Sequence, residues 1–314
     1  MSAATWRSVK FCDLCGSTEF RPYLNRAVDG QSLVRCGDCG LVLLSPRPDA
    51  ADIAAWYQED YFNGEGELGM GPDYLSQSDA GILHGTEAFF EFAKRVRLDG
   101  LKVLEIGCGG GAFLVQCRNA GAEVFGLEIS EFAADRLRQR HGLDVRIGFV
   151  EEAPFEPELF DLVVFTDVIE HVYRPGTFLK GIRRLLTVEG RMFGLMPNID
   201  CVRHYGIEWG GFRHHAEHLY YFGSDQVRQY LDQAGLIPIE IWTSGEPWEP
   251  PTGSTVRCAK KPRPWRLALR KTPGLLPVVR TLRRWRTRLN SEMRERESRY
   301  RQGLGHNLYV LAKK

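Results

Sequence analysis

The fold is decided by one stretch, Lys102-Val103-Leu104-Glu105-Ile106-Gly107-Cys108-Gly109-Gly110-Gly111-Ala112-Phe113-Leu114. An apolar run contains an acidic residue near its end, a glycine-rich turn follows, and the next residues can open a helix. This order is typical of a buried parallel strand that leads into a helix N-terminus, where backbone N–H groups converge on a ligand. Gly107, Gly109 and Gly111 allow the backbone to approach that ligand without Cβ clashes. The stretch therefore predicts a cofactor-binding turn.

The glycines alone do not identify the cofactor. Residues 107–112 also fit the dinucleotide pattern G-x-G-x-x-[G/A], so NAD is an alternative. Glu105 stands two residues before the first glycine. An acid there suits a cationic or hydroxyl-bearing ligand better than a pyrophosphate.

Two segments together resemble the class I S-adenosylmethionine (SAM) methyltransferases. Residues 103–111 resemble motif I of that family, E/D-x-G-x-G-x-G, and residues 160–172 resemble its fourth-strand motif. The resemblance covers about residues 80–243 plus the last strand. It implies SAM as the cofactor instead of NAD. It also implies an α/β fold with a Rossmann-like seven-stranded sheet.

Strands and helices alternate after Leu101, which predicts a parallel sheet that binds ligands at the carboxyl ends of its strands. Asp49 is expected to cap a helix through about Glu59, and residues 60–80 are expected to form a loop or lid. The predicted strands are 102–106, 122–127, 144–149, 160–166, 189–195, 236–243 and 306–313. The predicted helices are 82–97, 111–120, 130–140, 175–187 and 224–234.

Later strands add residues to the predicted cofactor site. Glu128 ends the second strand and could accept both ribose hydroxyls, or could instead cap the helix that begins near Ser130. Phe149 stands where the wider family often has an acid against the adenine amine, so a backbone contact or Glu151 is expected to substitute. The predicted cofactor-binding residues are Glu105, Gly107, Gly109, Gly111, Glu128, Val150, Glu151, Thr166 and Asp167.

Two C-x-x-C-G turns near the N-terminus predict a zinc ribbon. They supply four thiolates, Cys12, Cys15, Cys36 and Cys39, which is the donor set of structural tetrahedral zinc. A redox C-x-x-C is the alternative. Because a unit this small has too little hydrophobic core to be stable alone, the metal is expected to stabilise its fold and not to take part in catalysis.

Three residues are candidates for acid/base chemistry. His171 follows the fourth strand and should lie beside the sulfonium methyl as a general base or as a structural histidine. The pattern of residues 167–171, acid-x-x-Glu-His, also resembles polyprenol-quinone O-methyltransferases, where it can hold a divalent cation. Residues 215–222 resemble the H-x-E-H-x-x-Y-F segment of sugar methyltransferases. That resemblance makes Glu217 and His218 the preferred acid/base pair, although a histidine cluster could instead bind metal or cap a helix.

Tyr57, Tyr61 and Phe62 have two interpretations. They could face a substrate, or they could pack the ribbon onto the following domain.

The C-terminal region interrupts the expected fold. Residues 257–301 contain 16 Lys and Arg against three acids. Val278, Leu282, Trp285 and Leu289 fall at helical spacing, which predicts a basic amphipathic helix. It suits an anionic membrane surface through residues 263–290 or a phosphate-bearing acceptor, or it packs on its own domain. The predicted domains are 1–48 (zinc ribbon), 49–98 (linker helix, lid and covering helix), 99–244 with 304–314 (SAM-binding domain) and 245–303 (basic insertion).

The composition is that of an ordinary globular protein, with a net charge of +1 and 43% hydrophobic residues. No export signal or membrane span is evident, and eight cysteines without such a signal favour thiols or metal ligands. A cytoplasmic protein is expected, with peripheral contact to the inner membrane face as an option.

The expected activity is SAM-dependent methyl transfer to a hydroxyl, or to a carbon beside a keto group, of a sugar, glycan or other small molecule, with a phosphate-bearing or lipid-linked acceptor as one form of it. A quinone-type O-methyltransferase and a zinc-ribbon ribosomal RNA methyltransferase are alternatives. Nucleic acid is disfavoured because the ribbon carries few basic residues. A non-enzymatic interaction module with a degenerate SAM fold is the remaining alternative, and the intact acids and glycines of the cofactor turn argue against it.

Overall fold

The computed structural model describes residues 6–25, 32–57, 59–63, 85–206, 209–213, 217–245, 298 and 302–314. Almost all of the predicted basic insertion, 245–303, lies outside these residues, as do most of the predicted lid and residues 214–216 of the histidine-rich segment. The insertion and its membrane contact therefore stay predictions, and so do the domain boundaries. Within the described part of the chain, no helix has the length and apolar character needed to cross a bilayer.

The N-terminal unit, called the four-cysteine unit (residues 6–25 and 32–48), is built from short antiparallel strands. Apolar side chains such as Leu33 and Leu43 are completely buried in it. Both C-x-x-C turns close with a backbone hydrogen bond from a glycine to the first cysteine, Gly16 to Cys12 and Gly40 to Cys36. The strands are β1 (Trp6–Arg7), β2 (Phe20–Asn25), β3 (Ser32–Cys36), β4 (Val42–Leu44) and β5 (Arg47–Pro48), with pairs β1–β5, β2–β3 and β3–β4.

Three helices, α1 (Ala50–Trp56), α2 (Glu59–Asn63) and α3 (Gly85–Ala93), follow the four-cysteine unit. Asp49 occupies the N-cap position of α1, but its side chain makes no capping bond and instead pairs with Arg7 at 3.0 Å. The capping expectation was therefore wrong, because a nearby cation competes for the carboxylate.

Two further expectations about this region were wrong. Residues 60–63 are helical within α2, not loop, because their aromatic side chains find an apolar surface. Helix α3 ends four residues before the predicted boundary of 97.

The main sheet has seven strands, which confirms the predicted fold class. Six strands run in the same direction, and the last strand of the chain lies between two of them and runs antiparallel to both. The strands are β6 (Lys102–Ile106), β7 (Glu123–Glu128), β8 (Asp144–Ile147), β9 (Phe160–Thr166), β10 (Leu186–Pro197), β12 (Ile237–Ser244) and β13 (Asn307–Lys313), in the spatial order β12-β13-β10-β9-β6-β7-β8.

Helices cover both faces of this sheet. Its strands are therefore buried on both sides, and their sequences are continuous apolar runs. Leu162, Val163, Val164 and Phe165 of β9 are completely buried, and alternate members belong to the cores on opposite faces. The helices are α4 (Ala112–Asn119), α5 (Glu131–His141), α6 (Pro175–Leu185), α7 (Val202–Tyr205) and α8 (Ser224–Ala234).

One short strand joins the four-cysteine unit to the segment after β10. Strand β11 (Tyr220–Tyr221) pairs antiparallel with β4, so that Tyr220 lies opposite Leu43 and Tyr221 opposite Val42. Leu44 also donates its N–H to the carbonyl of Leu219 at 2.9 Å. The backbone immediately after Glu217 and His218 is therefore part of the sheet of the four-cysteine unit.

Side chains of the main domain bind the two C-x-x-C turns directly. Asp13 accepts hydrogen bonds from the Gly176 N–H at 3.1 Å and from the Tyr230 hydroxyl at 3.2 Å. Gln226 donates to the carbonyl of Cys39, and Gln233 donates to the carbonyl of Leu14, each at 2.8 Å. The metal-ligand turns are thus docked against α6 and α8.

Candidate functional site

The turn between β6 and α4 has the backbone geometry expected of a cofactor loop. Gly107, Gly109 and Gly111 all have positive φ, at 67°, 45° and 75°. A Cβ on Gly107 would lie 2.7 Å from Cγ2 of Val168, so the turn after β6 touches the turn after β9. Glycine is required at Gly107 both for its conformation and for this close approach.

Glu128 holds the glycine turn in place. Its carboxylate accepts the N–H of Gly109 at 3.0 Å, and also those of Ile129 at 2.8 Å and Ser130 at 3.1 Å. Burial raises its pKa, and these three N–H groups oppose that rise. Glu128 lies at the carboxyl end of β7, as expected of a ribose-binding acid, and it also organises the turn itself. The helix cap is made by Ser130, whose hydroxyl accepts the N–H of Ala133 at 3.4 Å.

Glu105 is a second buried carboxyl group beside the turn. It is 3% exposed, and its Oε2 atom has no hydrogen-bond partner among the described residues. Burial, together with the nearby charge of Glu128, raises its pKa well above the usual range. Two adjacent buried acids disfavour each other's ionisation, so a cationic or hydroxyl-bearing ligand would stabilise both.

The remaining predicted cofactor residues lie at the carboxyl ends of neighbouring strands. Val150 is buried, whereas Glu151 is exposed and its carboxylate is 3.5 Å from the Thr177 hydroxyl. Thr166 ends β9, and Asp167 follows with a φ of 53°. A non-glycine residue in this region is strained and is typical of a functional turn.

The three candidate acid/base residues come together beside the turn after β9. Nδ1 of His171 lies 2.9 Å from the carbonyl oxygen of Glu217, and the rings of His171 and His218 are 4.8 Å apart. The Tyr61 hydroxyl donates to Oε2 of Glu217 at 3.0 Å. His218 is 4% exposed. Sequence reasoning placed these residues on separate segments, and the fold brings them into one cluster.

Glu170 adjoins the two histidines. It is 1% exposed, and neither carboxylate oxygen has a hydrogen-bond partner among the described residues. Burial and the charge of Asp167 raise its pKa well above the usual range. Ligand atoms of Glu170, His171 and His218 all lie within 4.8 Å of one another, so this trio could hold a metal ion.

Sequence reasoning left the role of the aromatic residues after α1 open, and the structure separates them. Tyr61 and Phe62 are buried against Ala133 of α5, and Tyr61 also holds Glu217. Tyr57 packs on Tyr61, with ring centroids 4.8 Å apart, and stands edge-on to His171 at 6.3 Å. Two tyrosines therefore belong to the acid/base cluster. The sequence could not assign the tyrosines to this cluster, because isolated aromatic residues in a polar segment are equally consistent with a site role and with packing between domains.

The four predicted zinc ligands also converge. All four sulfur atoms lie within 4.8 Å of one another, and the pairs Cys12–Cys39 and Cys15–Cys36 are each 3.5 Å apart. Sulfurs around tetrahedral zinc would be about 3.8 Å apart, given Zn–S bonds of about 2.3 Å. The residues present fit such an ion.

A protein-family model described as a methyltransferase domain matches residues 74–241, more than half of the chain. The chain belongs to the SAM-dependent methyltransferase family. The ubiquinone biosynthesis O-methyltransferase of Bradyrhizobium diazoefficiens is 38% identical to this methyltransferase over 112 residues, which cover 32% of this chain and 44% of the relative. Matches to three such curated relatives span 44%, 44% and 46% of their length, which is less than half.

Solved structures show the same fold. A SAM-dependent methyltransferase from Thermotoga maritima is 16% identical, with a TM-score of 0.50 over 77% of this chain and 95% of that one. A chain in the Haloferax volcanii complex of the Trm112 methyltransferase activator with a methyltransferase is also 16% identical, with a TM-score of 0.52 over 83% and 97%. At this level of identity the likeness establishes the fold alone.

The close approach of Gly107 and Val168 gives a test of the cofactor site. We expect Gly107→Ala to abolish measurable SAM binding, because its Cβ would displace Val168 and distort the turn. Gly142→Ala is the matched control: Gly142 also has positive φ, at 61°, but its Cβ would meet nothing within 4 Å. The control should cost stability alone, about 1 kcal/mol. Calorimetric titration with SAM, alongside thermal unfolding, distinguishes the two, and equal SAM affinity in both variants would contradict the assigned position.

Proposed function

We propose that this protein transfers the methyl group of SAM to a hydroxyl oxygen of a small organic molecule. The observation that carries the proposal is the convergence of Glu217, His171 and His218 at the carboxyl end of β9, beside the glycine turn. The acceptor oxygen would attack the sulfonium methyl carbon, the carbon–sulfur bond would break, and the acceptor proton would pass to the cluster. Alignment of the two reactants supplies much of the rate in such a transfer.

The hydrogen bonds of the cluster assign different roles to its members. The carbonyl of Glu217 can only accept, so Nδ1 of His171 carries a hydrogen and Nε2 is its basic nitrogen. The Glu217 side chain accepts from Tyr61 and thereby fixes the segment that bears His218. We assign proton removal to the histidine pair and orientation to Glu217.

An aromatic hydroxyl is the acceptor class that we favour. The curated relatives named above are ubiquinone biosynthesis O-methyltransferases, and residues 167–171 share the acid-x-x-Glu-His pattern of quinone-type enzymes. The trio Glu170, His171 and His218 has the donor set for a divalent cation. With such an ion bound, the histidine nitrogens would be ligands, and the ion instead of the histidine pair would favour loss of the acceptor proton by lowering the pKa of the hydroxyl.

A sugar hydroxyl, or a carbon next to a sugar keto group, is the second candidate. It is favoured by the segment that carries Glu217 and His218, which resembles that of sugar methyltransferases. Ribosomal RNA is disfavoured. An RNA-binding ribbon would expose its C-x-x-C turns to the RNA, but here Gln226 and Gln233 of the main domain donate hydrogen bonds to the backbone of those turns.

A methyl-transfer panel tests the proposal. Purified protein would be incubated with isotopically labelled SAM and separate acceptors: catechols and prenylated dihydroxybenzoates, nucleotide-linked keto sugars, and ribosomal RNA. Each reaction would be run with and without added magnesium. We expect label on a catechol oxygen, located by mass spectrometry. Label on a sugar carbon would establish the second candidate, and no labelled product from any class would contradict the small-molecule proposal.

His218 gives a second test of the mechanism. We expect His218→Ala to lower turnover about 100-fold or more, because a group that accepts the acceptor proton is lost. SAM affinity should change little, since the side chain is not one of the expected cofactor contacts. His141→Ala, at the C-terminal end of α5, is the control and should turn over normally. A normal rate in His218→Ala would remove His218 from proton transfer and leave His171 as the base.

We also propose that the four-cysteine unit holds one structural zinc ion. Burial raises the pKa of Cys36, but hydrogen bonds from the backbone N–H groups of Cys39 and Asp38 and from the side chains of Cys15 and Cys39 together lower it to about 7. Burial raises the pKa of Cys12 and of Cys39, the latter to about 11, so a bound cation is needed to hold all four sulfurs as thiolates. All four positions are protein ligands, so the ion has no open site for catalysis.

Replacement of one ligand tests this role. Cys36→Ser should lose zinc, measured by atomic absorption, and should destabilise the four-cysteine unit. Hydrogen exchange at the Leu44 amide should accelerate, because this N–H donates to the carbonyl of Leu219 beside the β4–β11 pairing, while SAM binding persists. Cys117→Ser, a buried cysteine of α4 outside the cluster, should keep its zinc. Unchanged metal content in Cys36→Ser would disprove the assignment.

A further inference from the structure

Tyr57 carries a buried hydroxyl group that no described residue satisfies. The residue stands at the C-terminal end of α1, and its ring is half-buried between Tyr61 and the edge of His171. Its phenolic oxygen is inaccessible to solvent and has no hydrogen-bond partner among the described residues. A buried hydroxyl left in this state has lost its hydrogen bonds to water without a replacement. Such a group requires an explanation, and a ligand that completes the hydrogen bond supplies one.

The surroundings of the hydroxyl identify the kind of ligand. Burial raises the pKa of Tyr57 well above the usual range, and the carboxylates of Glu217, Glu170 and Glu128 raise it further. A tyrosine hydroxyl carries its proton at neutral pH whether or not it is buried, so it can donate a hydrogen bond. The same three carboxylates come from both sides of the site: Glu128 from the cofactor turn, and Glu170 and Glu217 from the acid/base cluster. Tyr57 thus lies at the junction of cofactor and acceptor.

The charge at this junction limits what can accept the hydrogen bond. The Glu217 carboxylate repels an anionic group such as a phosphate or a carboxylate, and the buried acids Glu128 and Glu170 are stabilised as carboxylates only by a cation such as a sulfonium or by hydroxyl donors. An uncharged oxygen, by contrast, can accept from Tyr57 while the carboxylates accept from its neighbouring hydroxyls.

We infer that the Tyr57 hydroxyl binds the methyl acceptor by donating a hydrogen bond to an uncharged hydroxyl or carbonyl oxygen. This inference rests on the proposed function and deepens it. Tyr57 is a substrate-binding residue, and the acceptor presents a neutral, polyhydroxylated edge to the cluster. Any phosphate on the acceptor lies away from this point.

Tyr57→Phe removes only the hydroxyl and keeps the ring contacts with Tyr61 and His171. Tyr309→Phe is the matched control. Tyr309 is a fully buried tyrosine of β13 that stacks on Trp242 at 5.2 Å, away from the cluster. For each protein, three quantities would be measured: the Kd of S-adenosylhomocysteine, the Kd of catechol for the S-adenosylhomocysteine complex, and the Tm without ligand. Where turnover is detected, kcat and KM for catechol would be added.

We expect Tyr57→Phe to weaken catechol binding, and to lower kcat/KM, about tenfold. Its affinity for S-adenosylhomocysteine and its Tm should equal those of the wild type, or the Tm should rise, because an unsatisfied hydroxyl is removed. Tyr309→Phe should leave the catechol constants unchanged. Phenyl phosphate, added as a competitor, should fail to displace catechol from the wild type.

The outcomes separate this inference from the proposed function. Equal catechol binding in wild type and Tyr57→Phe would overturn the inference, as would a loss of S-adenosylhomocysteine affinity equal to that of catechol. Displacement by phenyl phosphate, or no catechol binding to the wild type, would overturn the uncharged-oxygen assignment. Catechol binding that depends on Tyr57 without any methyl transfer would support the inference while contradicting the proposed activity.

Discussion

The acid/base segment depends on backbone hydrogen bonds along both of its edges. On one edge, the carbonyl of Leu219 accepts the N–H of Leu44, and β11 continues the pairing with β4 of the four-cysteine unit. On the other edge, the N–H groups of Leu219 and Tyr220 donate to the carbonyl of Glu170 at 2.8 and 3.2 Å. The segment therefore connects the N-terminal sheet to the turn after β9. These two edges, together with the hydrogen bond between His171 and the Glu217 carbonyl, hold Glu217 and His218 at a fixed distance from His171.

Electrostatics explains why this arrangement is suited to a sulfonium cofactor. Burial raises the pKa of Glu105, Glu128 and Glu170. Each carboxyl group is costly to ionise until a cation or a set of hydroxyl donors arrives. SAM carries a sulfonium, an amine and two ribose hydroxyls, so its binding at the proposed site would supply what these acids lack. Part of the binding energy is thereby spent on placing charge around the methyl group that is to be transferred.

The sequence predicted most of the main sheet because its signals are local. The strand and turn at residues 102–111 follow from apolar runs and glycines whose positive φ is a property of the turn itself. Contacts between distant segments could not be predicted in this way. The pairing of β11 with β4 joins parts of the chain that no periodicity connects. Asp49 shows the same limitation on a small scale, since its pairing with Arg7 depends on the β1–β5 contact. Tyr57 was ambiguous because burial of its hydroxyl is a tertiary property.

The four-cysteine unit is best understood as an internal support of the site. A free recruitment arm would expose its C-x-x-C turns, but here Asp13, Leu14 and Cys39 all bind the main domain. Arg47, only 8% exposed, lies over the ring of Tyr173 at 4.2 Å and that of Tyr220 at 5.1 Å, so a buried cation also joins the two parts. A unit of fewer than about 50 residues has too small a core to impose such geometry by itself. A metal ion that holds four sulfurs together would make the unit rigid, and β4 would transmit that rigidity to the residues next to Glu217 and His218.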